Sequence, residues 1–227
     1  MPDILAPEIA SYIDSLVPER PPELRKMEEW AREHNFPIIG PSCGHLCYEV
    51  TRMIGARRVF ELGSGYGYST AFFARAVKEN VSRQARDIPS SSRDGGGTVH
   101  HVVWDEELST RARGHLAALG VGDVVTYHVA EAVSTLQETD GPFDLIFNDI
   151  EKKDYPAALP VIEAKLRPGG VLIVDNMLWH GSVVDANDRS PDTEGVRALT
   201  RGLTHSPRWM SSIVPLRDGM IIALRIS

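Results

Sequence analysis

From Arg58 onward, short apolar runs alternate with longer amphipathic ones, and this alternation restricts the fold more than any other feature of the chain. Val59–Leu62, Thr98–Val103, Val124–His128, Phe143–Asp149 and Val171–Asp175 read as strands. Helical patterns over Ser69–Lys78, Glu106–Leu119, Ala132–Gln137 and Tyr155–Leu166 separate them. Such a rhythm predicts parallel strands joined by right-handed crossovers. Leu145-Ile146-Phe147 and Val171-Leu172-Ile173-Val174 are wholly apolar, as strands covered on both faces require. The rhythm breaks at the end. After a helix near Thr193–Leu203, the strand-like runs Ser211–Leu216 and Met220–Arg225 are separated only by Arg217-Asp218-Gly219, so the sheet is expected to end in an antiparallel hairpin.

Upstream of Arg58 the chain reads as helical. Helices open at Pro7, at Pro21-Pro22 and at Pro41, where a missing N–H costs nothing. Met27, Trp30 and Ala31 share one face, and Leu46, Val50, Met53 and Ile54 share another. The expected organisation is one domain over residues 1–227: a helical cap (1–55) on an α/β core (56–227). The polar stretch Glu79–Gly97, with Ser90-Ser91-Ser92 and Gly95-Gly96-Gly97, is expected to be a surface insertion. Cys43 and Cys47, four apart, are expected to face the core from one helix turn; two cysteines are too few for a disulfide scaffold or a zinc cluster.

Net charge narrows the partners. Lys+Arg is 24 and Asp+Glu is 31, a balance of −7, which gives no general attraction to phosphate backbones and argues against a nucleic-acid partner. No run approaches the ~20 apolar residues of a membrane span. Met1–Glu8 has no basic region before an apolar run, so a cytoplasmic address is the expectation.

Three motifs carry chemistry. In Val59-Phe60-Glu61-Leu62-Gly63-Ser64-Gly65-Tyr66-Gly67-Tyr68-Ser69-Thr70, a strand enters a glycine turn and then a helix, the arrangement that lets backbone N–H groups approach a ligand. The spacing is G-x-G-x-G, and Tyr68 stands where a dinucleotide fingerprint has its last glycine. Glu61 at the strand end would repel a pyrophosphate but suits an ammonium or sulfonium. The turn therefore favours S-adenosylmethionine over NAD. The second and third motifs are buried strands ending in acids: Asp149, followed by Glu151 and Lys152, and Asp175, followed by Asn176. Ligands of open parallel sheets bind outside the carboxyl ends of the strands. Neighbouring strands lie ~4.8 Å apart, so Asp149 and Asp175 can present two carboxylates to one point, with the Asn176 carbonyl beside them. Three oxygen ligands suit a hard divalent cation, Mg2+ first among them.

In order along the chain, Glu61-Leu-Gly-Ser-Gly-Tyr-Gly-Tyr-Ser69, Asp149-x-x-Lys152-x-x-Tyr155, Gly169-Gly170, Asp175-Asn176-x-Leu178-Trp179-x-Gly181 and Asp218-Gly219 resemble the cation-dependent O-methyltransferases of the catechol and caffeoyl-CoA type. The resemblance runs from about Pro41 to the C-terminus. It implies a class I methyltransferase fold: a Rossmann-like seven-stranded sheet, mostly parallel, with an antiparallel C-terminal strand and N-terminal helices. It also implies Asp149, Asp175 and Asn176 as metal ligands and Lys152 as general base. Glu61, Gly63, Ser64, Gly65 and Ser69 would hold the methionine part of the cofactor, with Ala132, Asp149 and Glu151 as further cofactor positions. Lys152, Asn176, Trp179 and His180 fall on the substrate side. Val103 occupies the place where the family has the acid that binds the ribose hydroxyls; either Asp105, two residues on and on the same strand face, substitutes for it with a shifted cofactor, or the ribose contact is missing.

The activity so implied is methyl transfer from S-adenosylmethionine to one hydroxyl of a vicinal aromatic diol, by a homodimer. Three other readings are a methyltransferase acting on a modified RNA base, disfavoured by the charge of −7; an NAD-dependent oxidoreductase, disfavoured by the glycine spacing and Glu61; and a non-catalytic binding module, disfavoured by intact Asp149, Lys152, Asp175 and Asn176.

Overall fold

A computed structural model describes residues 4–87 and 96–227. Seven strands form one sheet: β1 (Arg58–Leu62), β2 (Thr98–Val103), β3 (Val125–Val129), β4 (Phe143–Asn148), β5 (Leu166–Val174), β6 (Trp209–Val214) and β7 (Met220–Arg225), in the order β3-β2-β1-β4-β5-β7-β6. β1 pairs in parallel with β2 and β4, and β5 with β4. β7 runs antiparallel to both β5 and β6, so it alone opposes the common direction, as the terminal hairpin predicted. The strand order reverses between β1 and β4. That is where an open α/β sheet forms its ligand crevice.

Helices α4 (Tyr68–Asp87), α5 (Glu106–Ala118), α6 (Ala132–Glu138), α7 (Tyr155–Lys165) and α8 (Pro191–Thr204) cover the two faces. Phe143, Leu145, Ile146 and Phe147 of β4 are fully buried, which explains the unbroken apolar run. Asp144 is the polar exception. It accepts hydrogen bonds from the backbone N–H groups of Arg57 and Arg58 at 2.8 and 2.9 Å and from Arg167 Nε at 2.7 Å, tying together the entry ends of β1, β4 and β5.

The helices before the sheet are α1 (Pro7–Ser15), α2 (Pro22–Glu33) and α3 (Gly40–Met53). α2 buries Leu24, Met27 and Ala31, and α3 buries both Cys43 and Cys47, as their four-residue spacing predicts. α1 buries no residue at all.

The polar stretch after Lys78 departs from the expectation of an insertion. Glu79–Asp87 continues α4, because Asn80 donates its side-chain amide to the carbonyls of Thr51 and Ala56, and Glu79 accepts from the Tyr48 hydroxyl, docking this turn on α3. The three serines and Gly95 lie outside the described residues. Among the described residues no helix is long and apolar enough to cross a membrane.

Candidate active site

The carboxyl ends of β1, β4 and β5 open into a cavity of about 1360 Å³. Pockets for one ligand are usually about 300–1,000 Å³, so this one has room for two side by side. Gly63, Val102, Val103, Trp104 and Ala132 line one part; Asp149, Lys152, Asp175, Asn176, Trp179 and His180 line another. Glu151 also faces the cavity.

The glycine turn at the end of β1 is left-handed at Gly63, Gly65 and Gly67. At Gly63 no other residue fits: its φ is +86°, and a Cβ would stand 2.6 Å from the Asp149 carbonyl oxygen. The turn is closed from behind. The Tyr66 hydroxyl donates to the Met27 carbonyl and the Tyr68 hydroxyl to Glu28, both at 2.8 Å, so the helical cap holds the loop through two buried phenols. Tyr68 is thus a packing residue at the place where a dinucleotide fold keeps a glycine free.

Glu61 is fully buried at the end of β1, and burial pushes its carboxyl up to about 7 against the opposing effect of the Ser69, Thr70 and Ser64 hydroxyls. Thr70 donates to Glu61 Oε2, and its oxygen lies 3.0 Å from His101 Nδ1. Glu61 and His101 are register partners on adjacent strands, so both side chains share one face. Burial lowers His101 to about 3, which leaves its imidazole neutral. Glu61, Ser64, Gly65 and Ser69 lie in or behind the turn and are not on the cavity wall. Ser64 Oγ is turned inward, accepting from the Val102 N–H at 3.0 Å.

Asp105 does not join the cavity. It is exposed, and its carboxylate accepts the Leu108 N–H at 2.9 Å as the N-cap of α5. The helix cap takes one of its two carboxylate oxygens. Val103 and the exposed Trp104 supply the wall there instead.

Asp149 and Asp175 do come together. Asp175 is buried, and burial together with the Asp149 charge raises it to about 7; Asp149 is raised as well, by burial, against the attraction of Lys152. Two such carboxylates side by side are costly without a cation. Lys152 supplies part of the compensation: its Nζ donates to Asp149 Oδ1 at 2.8 Å and to the Ile150 carbonyl at 3.2 Å. It also lies 5.8 Å from the Trp179 ring centroid and 5.4 Å from that of Tyr155. The Tyr155 hydroxyl donates to the Asp175 carbonyl at 2.9 Å, fixing the end of β5.

Asn176, Trp179 and His180 all have positive φ, at +58°, +43° and +55°. Non-glycine residues rarely sit there, and such strain clusters at functional loops. Among the described residues no cluster of three or more His, Cys, Asp or Glu side chains assembles, so a cation site here rests on two carboxylates and one amide. An all-oxygen set of this kind fits a hard divalent cation that keeps waters or ligand oxygens in its remaining positions.

Sequence reasoning missed three parts of the wall: Arg217 and Asp218 from the β6–β7 turn, Pro37 and Ile38 before α3, and Ile4, Leu5, Pro7, Ala10 and Ser11 at the N-terminus. Asp218-Gly219 was legible as a hairpin turn and as part of the family resemblance, but not as a wall of the cavity. Placing that hairpin beside β5 would have put its turn at the carboxyl end.

A family model described as O-methyltransferase matches residues 19–226. A catechol O-methyltransferase of Niastella koreensis is 25% identical over 224 residues, covering 94% of each chain. A caffeoyl-CoA O-methyltransferase of Eucalyptus globulus is 26% identical over 227 residues, covering 94% of this chain and 85% of the relative. Among solved structures, the O-methyltransferase TomG of Streptomyces achromogenes, in complex with SAM, superposes with a TM-score of 0.80 at 26% identity, over 97% of this chain and 96% of that one. An O-methyltransferase from Bacillus cereus in complex with SAH gives a TM-score of 0.80 at 25% identity, over 96% and 97%. With the family matched over nearly its whole length, the chain belongs to the O-methyltransferase family.

Proposed function

We propose that this O-methyltransferase uses S-adenosylmethionine and a divalent cation, Mg2+ in the first instance, to methylate one hydroxyl of a small aromatic compound with two adjacent hydroxyls. One observation carries the reading: Asp149, Asp175 and Asn176 meet at one end of the cavity, beside Lys152 and Trp179. The relatives that act on catechol and caffeoyl-CoA by name, and the neighbours bound to SAM and SAH, support it.

A phenol is a weak nucleophile near neutral pH, with an ordinary pKa of about 10. Asp149, Asp175 and Asn176 would hold the cation, whose charge favours the phenolate of a bound diol. Lys152 reaches the same point and, as the neutral amine, would accept the hydroxyl proton and become the ammonium that pairs with Asp149. Trp179 gives the ring a flat wall, and Gly63, with the Asp149 backbone against it, sets the floor on the cofactor side. The chain's main task is to hold oxygen, methyl carbon and sulfur in line, because opposite charges vanish as the methyl group moves.

The test is turnover of S-adenosylmethionine with catechol or a caffeoyl thioester, with Mg2+ and with EDTA. Activity that needs the cation and is abolished in Asp149→Ala and Asp175→Ala supports the reading. Full activity in EDTA sinks the cation part and leaves the methyltransferase intact.

A further inference from the structure

Asn176 can serve a cation only through its carbonyl oxygen; its amide nitrogen is a donor and repels one. Something must therefore set which way the amide points. Asp218, from the β6–β7 turn, is the group behind it. Asn176 Nδ2 donates to Asp218 Oδ2 at 3.3 Å, and a carboxylate only accepts, so the nitrogen faces Asp218 and the oxygen is left for the cavity. The other carboxylate oxygen accepts the His180 N–H at 2.6 Å. The backbone of the same turn takes two more bonds: Leu178 N–H to the Asp218 carbonyl at 2.9 Å and Met177 N–H to the Gly219 carbonyl at 2.8 Å. The Asp218 side chain is only 12% exposed.

We propose that Asp218 is a positioning residue: it orients the Asn176 amide, holds the loop from Asn176 to Gly181 in its left-handed conformation, and so sets the cation affinity of Asp149, Asp175 and Asn176. The proposal rests on the cation reading above. Its physics is that of an outer-shell partner, which fixes a ligand's orientation and raises the negative charge on its donor atom. The loop needs such a hold, because Asn176, Trp179 and His180 all take the left-handed backbone that an ordinary L-residue avoids. A turn-forming role alone would not require a charge, since asparagine serves as well as aspartate in a turn.

The experiment is a titration of the full chain with Mn2+, in the presence of S-adenosylhomocysteine, followed by electron paramagnetic resonance. Asp218→Asn should fold, keep wild-type affinity for S-adenosylhomocysteine, and bind Mn2+ about 10–100-fold more weakly. Asn176→Asp sets one carboxylate against another and should also weaken Mn2+ binding, although it adds a charge. The double variant Asn176→Asp/Asp218→Asn restores a donor facing an acceptor and should regain about tenfold over Asn176→Asp alone. Mn2+ affinity in Asp218→Asn within about twofold of wild type, set against the loss expected of an outer-shell partner, overturns the proposal. So does an Asn176→Asp single variant that binds Mn2+ more tightly than wild type, a result that does not depend on how Asp218→Asn folds. Wild-type protein that binds S-adenosylhomocysteine but no Mn2+ overturns the cation reading and this proposal together; wild-type binding with an indifferent Asp218→Asn overturns this proposal alone.

Discussion

Lys152 and Lys153 are neighbours in sequence with different surroundings. Lys152 lies against Asp149 and between two aromatic rings, whereas Lys153 is exposed and gives only its backbone N–H, to Asp192 at 3.1 Å. Lys152→Ala should lower kcat by about 10²–10⁴-fold, the usual cost of losing a general base, with cofactor affinity unchanged. Lys153→Ala should leave kcat near wild type. Steady-state kinetics on the pair decides the matter, and a wild-type rate in Lys152→Ala at neutral pH would remove the residue from the chemistry. Asp149, Lys152, Asp175 and Asn176 were legible as neighbours on the cavity wall because each lies within four residues of the end of a buried strand, at the side where an open sheet forms its crevice. Asp105 was not, because a strand-end acid that caps the next helix and one that binds a ligand look alike in sequence. Asp218 escaped for a different reason: its partner is 42 residues away, and only the sheet order brings them together.

At the scale of elements, the turn that carries Lys152 is held by a close helix contact. α8 crosses the 3-10 turn Lys152–Asp154 at Gly195, where a Cβ would stand 2.1 Å from the Lys152 carbonyl oxygen and 2.9 Å from the Lys153 Cα. Both obstacles are backbone, so the helix must retreat or the turn must move. Gly195→Ala should cost about 1–3 kcal/mol, as overpacking usually does, and should lower turnover by displacing Lys152. Gly114 in α5 meets nothing within 4 Å, and Gly114→Ala should instead stabilise by up to about 1 kcal/mol. Thermal melts and turnover of the two variants check the contrast. All seven strands and the helices between them were readable from periodicity, with ends displaced by a few residues. The clearest shift among the strands is at β5, which begins at Leu166 rather than Val171, because Leu166 already pairs with Phe143 of β4. The extension of α4 to Asp87 was unreadable for a physical reason. The stretch from Glu79 is polar in sequence, and Glu79 and Asn80 are held by Tyr48, Thr51 and Ala56, from α3 and the connection after it, a contact that no periodicity announces.

For the whole molecule, the N-terminal segment is present at the active site without belonging to the core. α1 has no buried residue, yet Pro7, Ala10 and Ser11, with Ile4 and Leu5 before them, form part of the cavity wall. Tyr12 and Leu16 face outward, 62% and 63% exposed, so little apolar packing anchors the helix. Deleting residues 1–16 should therefore change the melting temperature little and raise KM for the aromatic acceptor more than for the cofactor. Calorimetric melts with paired kinetics test this, and a collapse of stability would show that the segment is a core element after all.

The buried trio of Glu61, Thr70 and His101 has a consequence in proton bookkeeping. In the unfolded chain, between their ordinary values of 4.5 and 6.5, the carboxylate is bare and the imidazole carries a proton. In the folded chain, with Glu61 near 7 and His101 near 3, the carboxyl holds a proton and the imidazole does not. Each state binds one proton across this interval, so the pair leaves stability independent of pH there. Removing either partner uncovers the other. Glu61→Gln leaves the imidazole, for which the unfolded chain binds more protons, so stability should fall as pH is lowered from 6.5 towards 3. His101→Gln leaves the carboxyl, for which the folded chain binds more, so stability should fall as pH rises from 4.5 through 7. Each slope can reach about 1.4 kcal/mol per pH unit, the value of one proton. Set against the parent's own pH dependence, to which Asp175 also contributes, thermal melts of the two variants should deviate in opposite directions, and deviations of one sign in both would show that folding does not transfer a proton from imidazole to carboxyl.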